Sequence, residues 1–528
     1  MTFEKPLSRQ DRKSTSAIND SRRDFFARRA ISPSPSETDL SRHSERVLGV
    51  GSLISLGLGG LIGAGIFVSV GVAAHDKAGP AVILSFLVAA VACIAVALCY
   101  CECASILPVA GSSYTYAYAA IGEGGAWIAG WNLATCYFLA GAAVSQGWSG
   151  YFQNLLGGLG ISWSKWASGA PFDLNPKTGQ FVLTGALLDL PALLVLATIT
   201  FIVYRGLRLS LKANHLLLVL KLGILAVVIL VGLAHSRLAN WFPFAPFGYG
   251  GLTWESLTST FTGKMATPST GMIAGATTVF FAFGGFEMLS VYSQECRSPR
   301  RDVPIAVVGT IGLLTLIYVA VAAAVVGMVR FDRISVSAPI SDAFREAGMP
   351  WAQLLIAFGA VAGMTSVLLV IVMSLPRVLM AIGRDGLISE RFFNAIHPVY
   401  HTPTKGVLFV GVGAMLAGSL LPLRFVMDAV MMATLAGYVA VCVFVLILRR
   451  HPMEREPIFR VPFGSVIPVF GILVSLLLML SLPSVNWLRL GGWWGVGLLV
   501  YALYGAKHSA LRRAKIGFNG VSETSREE

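Results

Sequence analysis

A chain of 528 residues that is 55% hydrophobic and only 13% charged, with a mean hydropathy of +0.71, is excluded from the soluble globular class. Its net charge of +13 is spread along the polar segments between apolar runs rather than clustered, so nucleic acid is not expected as a partner and a lipid bilayer is. The seven cysteines fall almost entirely inside apolar runs or on one side of them, which excludes a disulfide framework.

Residues 1–46 carry 10 basic and 7 acidic residues with few apolar ones, and are expected to form a disordered tail. Ser21-Arg-Arg-Asp-Phe-Phe26 imitates a twin-arginine export signal but lacks the apolar core that must follow it. Beyond the tail, stretches of about 20 apolar residues lie near 50–74, 79–102, 123–152, 184–204, 213–233, 269–295, 304–328, 352–382, 405–422, 425–448, 463–482 and 486–507. With the first residue inside, 29 of the 40 Lys and Arg fall on the same side as the N-terminus and 10 on the other. This positive-inside bias predicts that both termini are cytoplasmic.

The first stretch is interrupted at its centre by Gly57-Leu-Gly-Gly-Leu-Ile-Gly-Ala-Gly-Ile-Phe67. Each interior glycine costs a helix about 1 kcal/mol relative to alanine, and unpaired backbone at membrane depth is tolerated only against protein or a watery cavity. One reading is a close helix contact through Gly59 and Gly63; the other is an unwound site. The sixth stretch is interrupted in turn at Phe283-Gly-Gly-Phe-Glu287. Paired interruptions in two halves point to a transporter's substrate site, and their spacing of five stretches suggests an inverted repeat.

Unwinding near Gly63, Ala64 and Gly65 frees N–H groups suited to a carboxylate. Carbonyls freed around Phe281, Ala282 and Gly284 suit an ammonium group, so together the two breaks would receive the zwitterionic end of an amino acid. Glu287, just beyond the second break, either lines that pocket or caps the half-helix that follows.

Cys99, Cys101 and Cys103 alternate around Glu102 at the end of the second stretch; on a helix this spacing spreads the thiols, favouring packing over a metal site. Trp163 and Trp166 suit an interfacial belt in a polar loop. The loop from Asn240 to Gly248, rich in Pro and aromatics, suits an interfacial cap or a cover over the outer mouth. Lys221 lies about 12 Å into the fifth stretch, too deep for its ammonium to reach the headgroups easily, and a charge there costs about 3 kcal/mol or more. Either it loses and regains a proton during a cycle, or it is permanently paired with Glu102 or Glu287. Glu295, the cluster Arg297 to Asp302, Arg377 and Arg384-Asp-Gly386 end their stretches as solvated edge or gate residues, and His215 and His397 sit at edges too. No phosphate-binding loop, Cys-x-x-Cys pair or His-Glu-x-x-His occurs, so neither an enzyme nor an ATP-driven pump is expected, and no cofactor or metal.

The order of motifs resembles the amino acid–polyamine–organocation superfamily, and within it the cationic amino acid transporter family and its bacterial relatives. The matching residues are Gly60-Leu-Ile-Gly-Ala-Gly-Ile-Phe67, Tyr100-Cys-Glu-Cys-Ala-Ser-Ile-Leu-Pro-Val-Ala-Gly-Ser-Ser-Tyr-Thr-Tyr116, Phe280-Phe-Ala-Phe-Gly-Gly-Phe-Glu287, Pro299-Arg-Arg-Asp-Val-Pro304 and Arg384-Asp-Gly-Leu387. The resemblance implies that the substrate carboxylate meets Ile62, Gly63, Ala64 and Gly65. It implies that the ammonium meets Phe281, Ala282 and Gly284, with the Phe281 ring as a gate. It also implies that Lys221, seven residues after Asn214, replaces a sodium ion and couples transport to protons. The chain departs from the family where relatives often carry an acid just before a tyrosine of the third span: Trp131-Asn-Leu-Ala-Thr-Cys-Tyr137 has Cys136 there, which weakens the case for a strictly cationic substrate.

The expectation is an all-α membrane protein of twelve transmembrane helices, with a LeuT-type five-plus-five inverted repeat and discontinuous helices 1 and 6. Its permease domain would span 47–509, followed by a cytoplasmic tail at 510–528. The expected activity is proton-coupled symport of cationic or small neutral L-amino acids across the plasma membrane, or the inner membrane of a bacterium. An amino acid or polyamine exchanger and a non-transporting sensor are the rivals, and the sequence does not indicate an oligomeric state.

Overall fold

A computed structural model describes residues 49–107, 112–175, 180–206, 211–251, 270–287, 289, 296–400, 402–450, 457 and 459–512. The expected tail at 1–46, Glu295 and all but three residues of 510–528 lie outside them, as does the side chain of Asn214.

A helix lies in each of the twelve expected stretches. The first is split: α1 (Val50–Leu61) stops where Ile62 takes an extended conformation, and α2 (Ala64–Ala73) restarts after Gly63. A π turn and a 3-10 turn, with Gly79 at φ +62°, lead into α3 (Val82–Ile106). Then come α4 (Ser113–Ala120), α5 (Glu123–Gly158), α6 (Leu190–Tyr204) and α7 (Leu211–Ala234). Helix α6 begins where the Asp189 carboxylate accepts from the Ala192 N–H with Pro191 in the first turn, a side-chain cap joined to a proline that needs no donor there. In the sixth stretch α8 (Met272–Val279) tightens into a 3-10 turn over Phe280–Phe283 and then leaves helical geometry, with Gly284 extended and Gly285 at φ +105°, a region that favours glycine. Next are α9 (Pro299–Met328), the short α10 (Pro339–Glu346), α11 (Pro350–Arg384), α12 (Thr404–Leu420), α13 (Leu423–Arg450), α14 (Val466–Leu480) and α15 (Val485–Val500).

By length and composition, Ala64–Ile106, Glu123–Gly158, His215–Ala234, Arg301–Met328, Pro350–Arg384 and Leu423–Arg450 are each long and apolar enough to cross a bilayer. The last two helices pass that test as a pair bent by 112°. Leu216, Val219 and Leu230 on α7 are 70%, 67% and 72% exposed, an outward apolar surface that suits hydrocarbon rather than water. The protein is therefore a multi-pass helical membrane protein. It is not purely helical: β1 (Phe172–Leu174) pairs antiparallel with β2 (Phe181–Leu183), Asp173 opposite Val182. This hairpin lies in the loop between α5 and α6 and leaves the helical fold class as expected. The alternating Phe-x-Leu triplets are long enough for one hairpin and too short to give a strand signal among polar loop residues.

Helix α5 is the axis of the molecule. It packs along α11 and α13 and also meets α12, while α3 packs on α9 and α8, and α9 on α1 and α7. Small residues permit these approaches: a Cβ on Gly147 of α5 would stand 2.4 Å from Val68 Cγ2.

Candidate functional site

The two interrupted stretches meet. A Cβ on Gly65 would fall 2.4 Å from Ala282 Cα, so the chain after the first break touches the backbone of the second only because residue 65 is glycine. A Cβ on Gly63 would likewise come 2.6 Å from Val367 Cγ2 of α11. Beside this contact is a cavity of about 530 Å³. Its wall includes Gly63, Ala64, Gly65, Phe281, Gly284 and Glu287 among the expected site residues, and it extends along α1 past Gly57 and Gly60 towards Arg377 of α11. Ile62 and Ala282 are fully buried beside it rather than on its wall.

The first turn of α2 presents the N–H groups of Ala64 and Gly65, which an α-helix cannot satisfy internally, at that wall. This half-helix is held from α5: the Tyr151 hydroxyl donates to the Phe67 carbonyl at 2.6 Å and accepts from the Ile340 N–H of α10 at 3.3 Å. At the second break the carbonyls are partly engaged. Phe281 O accepts from the Gly284 N–H at 3.2 Å and Ala282 O from the Tyr318 hydroxyl at 3.3 Å. Glu287 both lines the cavity and folds back on the break, its Oε2 accepting from the Gly285 N–H at 3.1 Å and the Tyr438 hydroxyl at 3.3 Å. Of the two readings of Glu287, a wall residue or a cap of the half-helix that follows, the described residues give it a place on the wall, while most of that half-helix lies outside them.

Lys221 is 1% exposed on α7. Its ammonium donates to the Gly59 carbonyl of α1 and to Ser366 Oγ of α11, each at 2.9 Å, and Ser366 in turn donates to the Gly363 carbonyl at 2.8 Å. Neither carboxylate suggested from the sequence pairs with it. Glu102 is held by Arg449 of α13 through two bonds of 2.7 and 2.6 Å and by the Val461 N–H at 2.7 Å. Lys221 Nζ therefore rests on neutral dipoles, the Gly59 carbonyl of α1 and the Ser366 hydroxyl of α11.

Beyond the two breaks, α13 adds Val430, Met431, Thr434 and Tyr438 to the wall. Ser366, Tyr318 and Tyr438 were not singled out. Their only sequence signal is a hydroxyl in a long apolar run, which many helix-packing residues share. Off that wall, Arg424 at the start of α13 joins Asp76 after α2 at 2.8 Å and Asp173 of β1 at 2.9 Å.

A cavity at two apposed helix breaks within a multi-pass helical bundle defines a membrane transporter of small solutes rather than an enzyme. Residues 48–494 match the amino acid permease family, and the chain belongs to that family. It is 37% identical to the branched-chain amino acid permease BcaP of Bacillus subtilis, over 92% of this chain and 99% of that one. It is 35% identical to the methylthioribose transporter of the same organism, over 90% and 96%. With the cationic amino acid transporter 4 of Mus musculus it shares 32% identity over 78% and 61%.

Proposed function

We propose that this protein is a proton-coupled amino acid symporter that works by alternating access. In this reading twelve helices cross the membrane in a LeuT-type repeat of spans 1–5 and 6–10, with spans 11 and 12 added and both termini cytoplasmic. The helical run Ala64–Ile106 counts as two crossings, because its 43 residues greatly exceed a hydrocarbon core of about 30 Å and Gly79 turns the chain within it. The cavity along α1 then faces the cytoplasm, and the Arg424–Asp76 pair lies on the closed outer side.

The observation that carries the reading is the meeting of the two breaks beside a cavity, with Lys221 bonded to the inner half of the first. The N–H groups of Ala64 and Gly65 take the substrate carboxylate, and the carbonyl-rich turn from Phe281 to Gly284 takes its ammonium. Lys221 stands where a bound cation would hold α1. Losing its proton removes a charge that is expensive to keep buried, and frees α1 to swing so that substrate leaves. The relatives named for branched-chain and cationic amino acids support an amino acid as cargo. Cys136 on the cavity wall favours neutral side chains alongside cationic ones.

A second reading is supported by the relative named a methylthioribose transporter, whose named cargo has neither a carboxylate nor an ammonium group. Purified protein in liposomes, given labelled leucine, alanine and arginine with an imposed pH gradient, separates the two. Proton-driven accumulation of an amino acid is expected, with weak competition by methylthioribose or a polyamine. Equal competition by either would overturn the carboxylate–ammonium assignment, and counterflow without any response to pH would make the protein an exchanger.

A further inference from the structure

Tyr318 of α9 is fully buried, and its hydroxyl lies 3.2 Å from the Leu61 carbonyl and 3.3 Å from the Ala282 carbonyl. Leu61 ends α1 and Ala282 lies in the turn of the second break, so both carbonyls are left over where a helix stops. Neither accepts another hydrogen bond from the described residues. A tyrosine hydroxyl has one hydrogen to give, and both distances exceed the 2.7–2.8 Å usual for O–H···O bonds. One donor is shared between two acceptors and satisfies neither fully.

We propose that Tyr318 is the positioning residue that couples the two breaks, its hydroxyl swinging between Leu61 and Ala282 as the inner half of the first span moves. The inference rests on the alternating-access reading and adds a part to it. Beyond the first break, Gly65 is seated on Ala282, so the outer half and the second break move as one body. The inner half, α1, hangs on the hinge at Ile62 and Gly63 and is held by Lys221 at Gly59 and Tyr318 at Leu61. When Lys221 lets go, the Tyr318 hydroxyl can turn wholly to Ala282, recovering a full bond as α1 departs. No covalent bond changes; only the hydroxyl torsion does. The two arrangements differ in which carbonyl is satisfied, which is the differential interaction a two-state element requires.

The test is Tyr318→Phe, which keeps the ring against Phe86 and Phe283, whose centroids are 5.7 and 5.5 Å away. In liposomes, kcat for labelled leucine, alanine or arginine should fall at least tenfold while KM stays within about threefold. The rate at which a maleimide labels Cys136, on the cavity wall, should change at least threefold in the absence of substrate, because the balance of the two arrangements has moved. Phe86→Leu, which disturbs the ring packing and leaves the hydroxyl, should change neither reading by more than about twofold. Unchanged kcat and labelling in Tyr318→Phe, a parallel loss of KM and kcat, failure of that variant to insert, or the same effects in Phe86→Leu would each overturn the proposal. Labelling of Cys136 needs no substrate, so it tests Tyr318 even if the parent moves none of the three amino acids, an outcome that would sink only the amino-acid reading.

Discussion

The ammonium of Lys221 and the carbonyl of Gly59, 162 residues apart in sequence, are joined at 2.9 Å in a fully buried position. The bond fastens α1, the first half of an interrupted helix, to α7. Ser366 supplies the other acceptor, and the third N–H of the ammonium has no partner among the described residues. A lysine held without a carboxylate is less secure than one in a salt bridge, which suits the proton release proposed for it. Lys221→Ala should abolish proton-driven accumulation in liposomes while inserting normally. Lys221→Arg should keep the charge, which guanidinium does not give up in proteins, and slow the cycle by at least tenfold. PH-dependent uptake at the parent rate in well-folded Lys221→Ala would refute this role.

The contact between Gly65 and Ala282 predicts a steep response to one methyl group. Gly65→Ala places a Cβ against backbone, which cannot turn aside as a side-chain tip can. Overpacking of this kind costs about 1–3 kcal/mol, and here it pries the two breaks apart. Substrate affinity, read by scintillation proximity or calorimetry, should fall at least tenfold. Gly60→Ala, whose Cβ meets nothing within 4 Å, should bind within about twofold of the parent. Equal affinities for the two variants would remove Gly65 from the site.

Glu102 has a structural duty. Its side chain is completely buried against Arg449, with the Val461 N–H completing its shell. Glu102→Ala strands the partly exposed Arg449 guanidinium and the Val461 N–H, a loss below the roughly 3–5 kcal/mol of breaking a fully buried pair but still clear. Glu102→Ala should therefore lower the thermal unfolding temperature of the purified protein clearly, whereas Lys221→Ala, which strands no carboxylate, should lower it much less. Similar losses would mean that Lys221 also serves mainly to hold the fold.

Much of this architecture was legible because membrane burial leaves coarse marks. Twelve apolar stretches mark helices, and glycines at the middle of two of them marked the breaks at Ile62–Gly63 and Gly284–Gly285. Partners were not legible. Glu102 and Arg449 are 347 residues apart, and nothing local tells a carboxylate which cation will reach it. Tyr438 and Thr434 joined the cavity through the packing of α13 on α5, a tertiary choice that an apolar run does not encode. The hairpin of Phe172 and Phe181 escaped notice because three-residue strands carry almost no periodicity.

Cys136 offers the last test, of side-chain selectivity. It sits on the cavity wall with Tyr137, accepts a weak bond from the Thr434 hydroxyl at 3.7 Å, and shares that cavity with Glu287. The family resemblance implies an acid at this position, where this chain presents a thiol. Cys136→Asp should therefore raise the preference for arginine over leucine, measured as the ratio of kcat/KM in liposomes, by about tenfold, equivalent to some 1.4 kcal/mol. Cys136→Ser changes the group without adding charge and should leave that ratio within about twofold. A ratio unmoved by Cys136→Asp, in protein that still transports leucine, would mean that the substrate side chain points elsewhere, with Glu287 the next wall residue to test.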